Sequence, residues 1–138
     1  MIKKTLGMAV LVALSLILST IEAKAYTDEQ AIKAVLGEAR GEYVNGDNYP
    51  SMYAVACAIR NRGTLKGVYG ATASMEEIGP ELYQQASRAW FNSEDGGDPT
   101  LGATHWHNVE REGENYWTKK LTRTYKVGSH TFFRESRR

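Results

Sequence analysis

Cysteine is almost missing from this 138-residue sequence, and so is any surplus of charge of one sign. The single cysteine excludes an intramolecular disulfide framework and any cysteine-rich zinc module. Lys and Arg number 17 against 16 Asp and Glu. Binding driven by phosphate neutralisation needs a clear basic excess, so no nucleic-acid partner is expected. No internal repeat or low-complexity tract occurs. What is present is 42% hydrophobic, 24% charged and 10% aromatic residues, the composition of a folded globular protein at a length suited to one domain.

Residues 1–25 carry the pattern of a secretory signal peptide. Lys3 and Lys4 supply the positive start, Leu6 to Ile21 is mostly apolar, and Ala23-Lys24-Ala25 supplies the small residues of a cleavage site. The apolar run is almost long enough to span a bilayer as an anchor, but the Ala-x-Ala site sits where a signal peptide needs it. No cysteine lies near the junction to carry a lipid. The expectation is an exported monomer in the periplasm, the cell wall or the medium, without stable membrane insertion after cleavage.

Removing 25 residues from 138 leaves 113, with 14 bases against 15 acids and a net charge of −1. A chain of that size buries about 65% of its unfolded surface, enough for one core over residues 26–138. Cys57, between Ala56 and Ala58, reads as a buried small hydrophobe.

Three helices are expected first. Thr27 and Gln30 fit a capping box, and Ala31, Ile32, Val35, Leu36 and Ala39 follow at helical spacing, giving a helix over Asp28–Ala39 that Gly41 ends. Pro50 suits the first turn of a second helix, which carries Met52, Val55, Ala56 and Ile59 inward and stops near Gly63. Residues 63–79 read as irregular. Gly79-Pro80 opens a third helix with Leu82, Tyr83, Ala86, Ala89 and Trp90 on one face, broken by Asp95-Gly96-Gly97-Asp98-Pro99. Beyond Gly102 the composition turns to Thr, Trp, Tyr, Val and Phe, and Ala103–Val109, Thr122–Val127 and His130–Arg134 read as strands. The expected fold class is α+β, a helical lobe followed by a small antiparallel β lobe.

Three features could carry chemistry. Glu38 stands near the C-terminal end of the first helix, where the dipole and partial burial both favour the protonated acid that a general acid requires. The plain alternative is a solvated helix-end glutamate. Glu42 follows Gly41, where its direction is less defined. His105 and His107 alternate with Trp106 on a strand, so both imidazoles share one face. With His130 they could hold zinc, although no His-Glu-x-x-His motif accompanies them and no metal or cofactor is expected. Lastly, Trp106, Tyr116, Trp117, Tyr125, Phe132 and Phe133 crowd the β-rich end. Exposed rings there suit sugar stacking, and buried ones suit a core.

The order of segments resembles the spore-cortex-lytic (SleB-like) cell wall hydrolase family. The matching pieces are Gly37-Glu38-Ala39-Arg40-Gly41-Glu42, Tyr53-Ala54-Val55-Ala56 leading to Asn61-Arg62, Asp98-Pro99-Thr100-Leu101-Gly102-Ala103-Thr104, and Val127-Gly128-Ser129-His130-Thr131-Phe132-Phe133-Arg134. The resemblance implies a lysozyme/lytic-transglycosylase-like domain over 26–138 that cleaves the glycan strands of peptidoglycan with one glutamate, which falls on Glu38. The aromatic-rich β end, taken with the Gly-x-His-x-Phe segment that recurs in family members, points to Trp106 or Trp117 in glycan binding, with Arg40 and His130 near the same groove. Family members usually carry a longer middle segment, often with a Gln-Phe pair, where this chain has only Lys66 to Met75. One carboxyl group suffices for a lytic transglycosylase, whereas simple hydrolysis normally uses a second, for which Glu42 and Asp98 are available. The competing readings are a zinc-dependent cell-wall amidase or peptidase using His105, His107 and His130, and a non-catalytic peptidoglycan-binding module.

Overall fold

A computed structural model describes residues 25–136 of the chain, and the expected signal peptide lies outside them apart from Ala25. Helix α1 spans Asp28–Ala39. Its capping box is formed: Gln30 N donates to Thr27 Oγ1 at 3.1 Å, and Thr27 N donates to Gln30 Oε1 at 2.9 Å. Each bond satisfies a backbone donor that the helix start leaves free. The helix closes on Arg40, one residue before the expected glycine.

Helix α2 spans Tyr49–Arg62, with Pro50 in its first turn and Gly63 in the left-handed conformation at its end (φ 73°). Ser51, Met52 and the run Ala54–Ile59 are all buried, so this helix is enclosed on most sides. Cys57 is part of that run, and burial pushes its thiol up to about 12. Helix α3, Pro80–Asp95, buries Ala86, Ala89 and Trp90. Tyr83, expected on that inner face, is instead 42% exposed. Trp90 ties the lobe together. Its Nε1 donates to Asp28 Oδ1 at 2.9 Å, and the Arg60 guanidinium lies 3.7 Å from its ring centre.

The segment between α2 and α3 is irregular except for one 3₁₀ turn, Tyr69–Thr72. After α3 come β1 (His105–His107), the one-turn helix α4 (Val109–Glu112), β2 (Thr122–Val127) and β3 (His130–Arg134). The sheet is antiparallel in the order β1-β3-β2. The strand expected over Ala103–Val109 is shorter, because the Asn108 side chain accepts from Arg111 N at 2.9 Å and starts a helical turn. Gly128-Ser129 forms the two-residue turn between β2 and β3, with φ positive at glycine alone, the sign pattern of a type II′ hairpin.

Phe132 and Phe133 are both fully buried although adjacent on β3. Alternation sends them to opposite faces. Phe132 joins the core built by α1, α2 and α3, and Phe133 packs edge-on against Trp117 at 5.5 Å. The fold is a helical lobe followed by a small three-stranded antiparallel sheet, joined through one core. No helix among the described residues is long and apolar enough to cross a membrane.

Candidate functional site

A cleft of about 690 Å³ runs between the lobes. Glu38 and Glu42 line it from the end of α1, with Arg62, Val68 and Tyr69 beyond them. His105, Trp106, His107 and His130 line it from the sheet, and the segment from Asn108 to Trp117 contributes the remaining wall.

Glu38 is held from two sides. Its Oε1 accepts from Gly70 N at 3.0 Å, and its Oε2 accepts from Trp106 Nε1 at 3.2 Å. The first bond depends on two glycines. A Cβ on Gly37 would stand 2.1 Å from Gly70 O, and one on Gly70 would stand 2.6 Å from Glu38 N. Backbone therefore meets backbone where α1 crosses the 3₁₀ turn, and the Gly70 amide reaches the carboxyl group. Trp106 arrives from the other lobe on β1, its ring 6.3 Å from Phe132. Glu38 is thus a half-buried carboxyl group fixed between two N–H donors and open to the cleft.

Glu42 is bound differently. Ser129 in the β2–β3 turn gives it both its backbone N–H, at 3.0 Å, and its hydroxyl. Burial pushes the carboxyl upward, but the two Ser129 bonds and the nearby His130 outweigh it and hold Glu42 below the usual carboxylate range. A Cβ on Gly128 would lie 3.0 Å from Glu42 Oε2, so the turn approaches closely as well. His130 is 7% exposed and its Nδ1 has no partner among the described residues. Burial lowers its pKa below the ordinary histidine value, against the opposing pull of Glu42 and Glu38.

Asp98 and Arg40 do not line the cleft. Asp98 organises the turn after α3: Oδ1 accepts from Thr100 N and Oγ1, and Oδ2 accepts from Gly102 N and Asn61 Nδ2. Burial raises its pKa, and these four bonds more than reverse that. Asn61 also donates to Ala103 O at 3.0 Å, and Tyr53 to Gly97 O at 2.7 Å, so α2 anchors the connection to the sheet. Arg40 donates to Ser74 O at 3.0 Å, tying down the segment after the 3₁₀ turn.

The three histidines do not converge. His105 pairs with Phe133 and Trp106 with Phe132, so His130, two residues from Phe132, shares the face of Trp106 and not that of His105 and His107. The three-histidine zinc site is corrected by this register. His105 and His107 instead flank Trp117, with ring centres 5.4 and 5.5 Å away. His105 Nδ1 bonds Thr104 Oγ1 and His107 Nε2 bonds Gly113 O. Among the described residues no three His, Cys, Asp or Glu side chains are grouped to hold a metal ion.

Both tryptophans line the cleft, but each is engaged: Trp106 through its N–H to Glu38, Trp117 between two histidines and Phe133. The freest rings are Tyr69, 88% exposed, and Tyr116, 76% exposed, both on the cleft wall. Tyr69 was not singled out from the sequence. Its only local signal is the pair Tyr69-Gly70 in a segment otherwise read as irregular.

Two solved structures share this fold. The catalytic domain of the germination-specific lytic transglycosylase SleB from Bacillus anthracis superposes with a TM-score of 0.56 at 26% identity, covering 82% of this chain and all of that one. The catalytic domain of the Bacillus cereus SleB protein gives 0.57 at 24% identity, covering 81% of this chain and 94% of that one. No protein-family model and no curated protein matches the sequence.

Proposed function

We propose that this chain is an exported peptidoglycan glycosidase that cleaves between N-acetylmuramic acid and N-acetylglucosamine as a lytic transglycosylase. The observation that carries the reading is Glu38, a half-buried carboxyl group on the cleft wall, held between Gly70 and Trp106 in a fold shared with lytic transglycosylase domains. One acid is enough for that chemistry. Glu38 protonates the glycosidic oxygen as the bond to the muramic C1 breaks. The resulting carboxylate takes the proton of the muramic C6 hydroxyl, whose oxygen bonds C1 and closes a 1,6-anhydro ring. The acid is restored and no water is consumed. Two N–H donors fix the carboxyl orientation throughout, which is where most of the benefit of a single catalytic group lies.

Two other acids line the cleft, Glu112, paired with His107, and Glu42. The Glu42 oxygens already accept from Ser129, so its role in this account is to dock the β2–β3 turn and to place His130. The test is mass analysis of fragments released from purified peptidoglycan. Muropeptides ending in 1,6-anhydro-muramic acid, unaffected by a chelator, are expected. Reducing ends would mean hydrolysis, and release of peptides alone, or EDTA inhibition reversed by zinc, would remove the proposal.

A further inference from the structure

The wall between β1 and β2 is rich in charges, and several of them are paired. Glu110 pairs with Lys126, Glu114 with Arg123, and Glu112 with His107 at 3.4 Å. Arg111 stands on the same helical turn and lines the cleft, yet its side chain makes no ion pair or hydrogen bond among the described residues. The other guanidinium on the cleft wall, Arg62, is spent on the carbonyls of Thr104 and Lys66 at 3.2 and 2.6 Å. Glu42 lines the cleft from the helical lobe and is held as a carboxylate by Ser129, so an anionic ligand meets like charge there. One free guanidinium on the β-lobe wall offsets that repulsion at a defined position. Its planar fork of donors matches a carboxylate.

We propose that Arg111 binds a carboxylate carried by the muramyl residue, so that the cleft prefers carboxylate-bearing glycan strands to neutral ones. This rests on the glycan-cleaving reading of the same cleft. The carboxylate has two sources, the lactyl group of muramic acid or the peptide attached to it. The Glu110–Lys126 pair joins α4 to β2, and Glu114–Arg123 joins the loop after α4 to the same strand, so the backbone that carries Arg111 is tied to the sheet.

The test is calorimetric binding of three soluble strands to the parent protein and to Arg111→Gln and Arg111→Lys. The strands carry intact peptides, are stripped of peptides by an amidase so that the lactyl carboxylate is free, or have every carboxylate converted to a neutral amide. Arg111→Gln is expected to weaken binding of carboxylate-bearing strands about tenfold, the scale of one charge-assisted contact. Arg111→Lys recovers part of it, and the neutral strand binds all three proteins alike. Loss on intact strands alone assigns the peptide carboxylate, and loss on stripped strands assigns the lactyl one. Equal affinity of parent and Gln variant for every charged strand, or an equal loss on the neutral strand, overturns the proposal. Every titration is made in the Glu38→Gln background, which removes turnover from the heats, so a protein that binds but cleaves nothing would sink the enzymatic reading and still decide Arg111.

Discussion

Gly70 and Glu38 meet at a contact with no room for a side chain: the Gly70 amide donates to Glu38 Oε1 at 3.0 Å, and a Cβ on Gly70 would lie 2.7 Å from Glu38 Cγ. Gly70→Ala must therefore push the 3₁₀ turn away from α1 or turn the carboxyl group. Overpacking of this kind costs about 1–3 kcal/mol. The expected outcome is a folded protein with a lower melting temperature and about tenfold or greater loss of cleavage, read by calorimetry and product release. Full activity would mean that the glycine only packs.

Trp106→Phe separates two uses of one ring. The substitution keeps an aromatic against Phe132 and removes the N–H that meets Glu38 at 3.2 Å. If the indole orients the acid, kcat falls about tenfold with little change in KM, since one hydrogen bond to a carboxyl group is worth about 1.5 kcal/mol or more. A rise in KM at constant kcat would instead assign Trp106 to sugar stacking.

Much of the frame was legible because its signals are local. The capping box of Thr27 and Gln30, the left-handed Gly63 and the Gly128-Ser129 turn each act within a few residues, and they set α1, α2 and the β2–β3 hairpin. Asn108 was a local signal too, but a strand-like neighbourhood of Thr, Trp and Val masked its helix-capping role. The direction of a side chain was not legible. Arg40 shares a hexapeptide with Glu38 and yet reaches Ser74, and Asp98 turns into its own loop. Nor does sequence spacing reveal that Trp106, 68 positions away, supplies a donor to Glu38, or that β-sheet register parts His130 from His105.

Tyr69 and Tyr116 are the expected stacking surfaces. They are the most exposed large rings on the cleft wall, whereas Trp117 is held among His105, His107 and Phe133. Each Tyr→Ala change is expected to weaken binding to purified sacculi about tenfold, by analogy with aromatic platforms worth about 1–3 kcal/mol per ring, at an unchanged melting temperature. Equal affinity of both variants and the parent would make these rings bystanders.

Stability should decline in two steps as pH is lowered. Burial depresses the folded pKa of His130 and of His105, so below the ordinary value of 6.5 the unfolded chain takes up protons that the folded chain refuses. That contribution is complete above pH 6.5 and is lost as pH falls toward the folded values. Glu42 and Asp98 are depressed below 4.5 and 3.8, so their contribution is present above those values and is lost as pH falls through the folded ones. Melting temperatures from pH 8 to 3 should show both declines, with His130→Gln reducing the upper one and Ser129→Ala the lower. A flat profile between pH 7 and 5 would contradict the buried, neutral His130.

The central claim is that Glu38 alone carries the proton, and the direct measurement compares Glu38→Gln with Glu42→Gln for release of muropeptides from purified peptidoglycan, with a melt and a sacculus-binding assay on each. The amide keeps the shape, and its one oxygen keeps either the Gly70 or the Trp106 contact while its NH2 faces the other donor, but it cannot donate the proton. General acid–base assistance is worth about 10²–10⁴-fold, so Glu38→Gln should lose cleavage by that factor while it folds and binds. Glu42→Gln should lose less cleavage and more stability, because its carboxylate docks Ser129. A Glu38→Gln protein that still cleaves within a few-fold of the parent, beside an inactive but folded Glu42→Gln, would contradict the account.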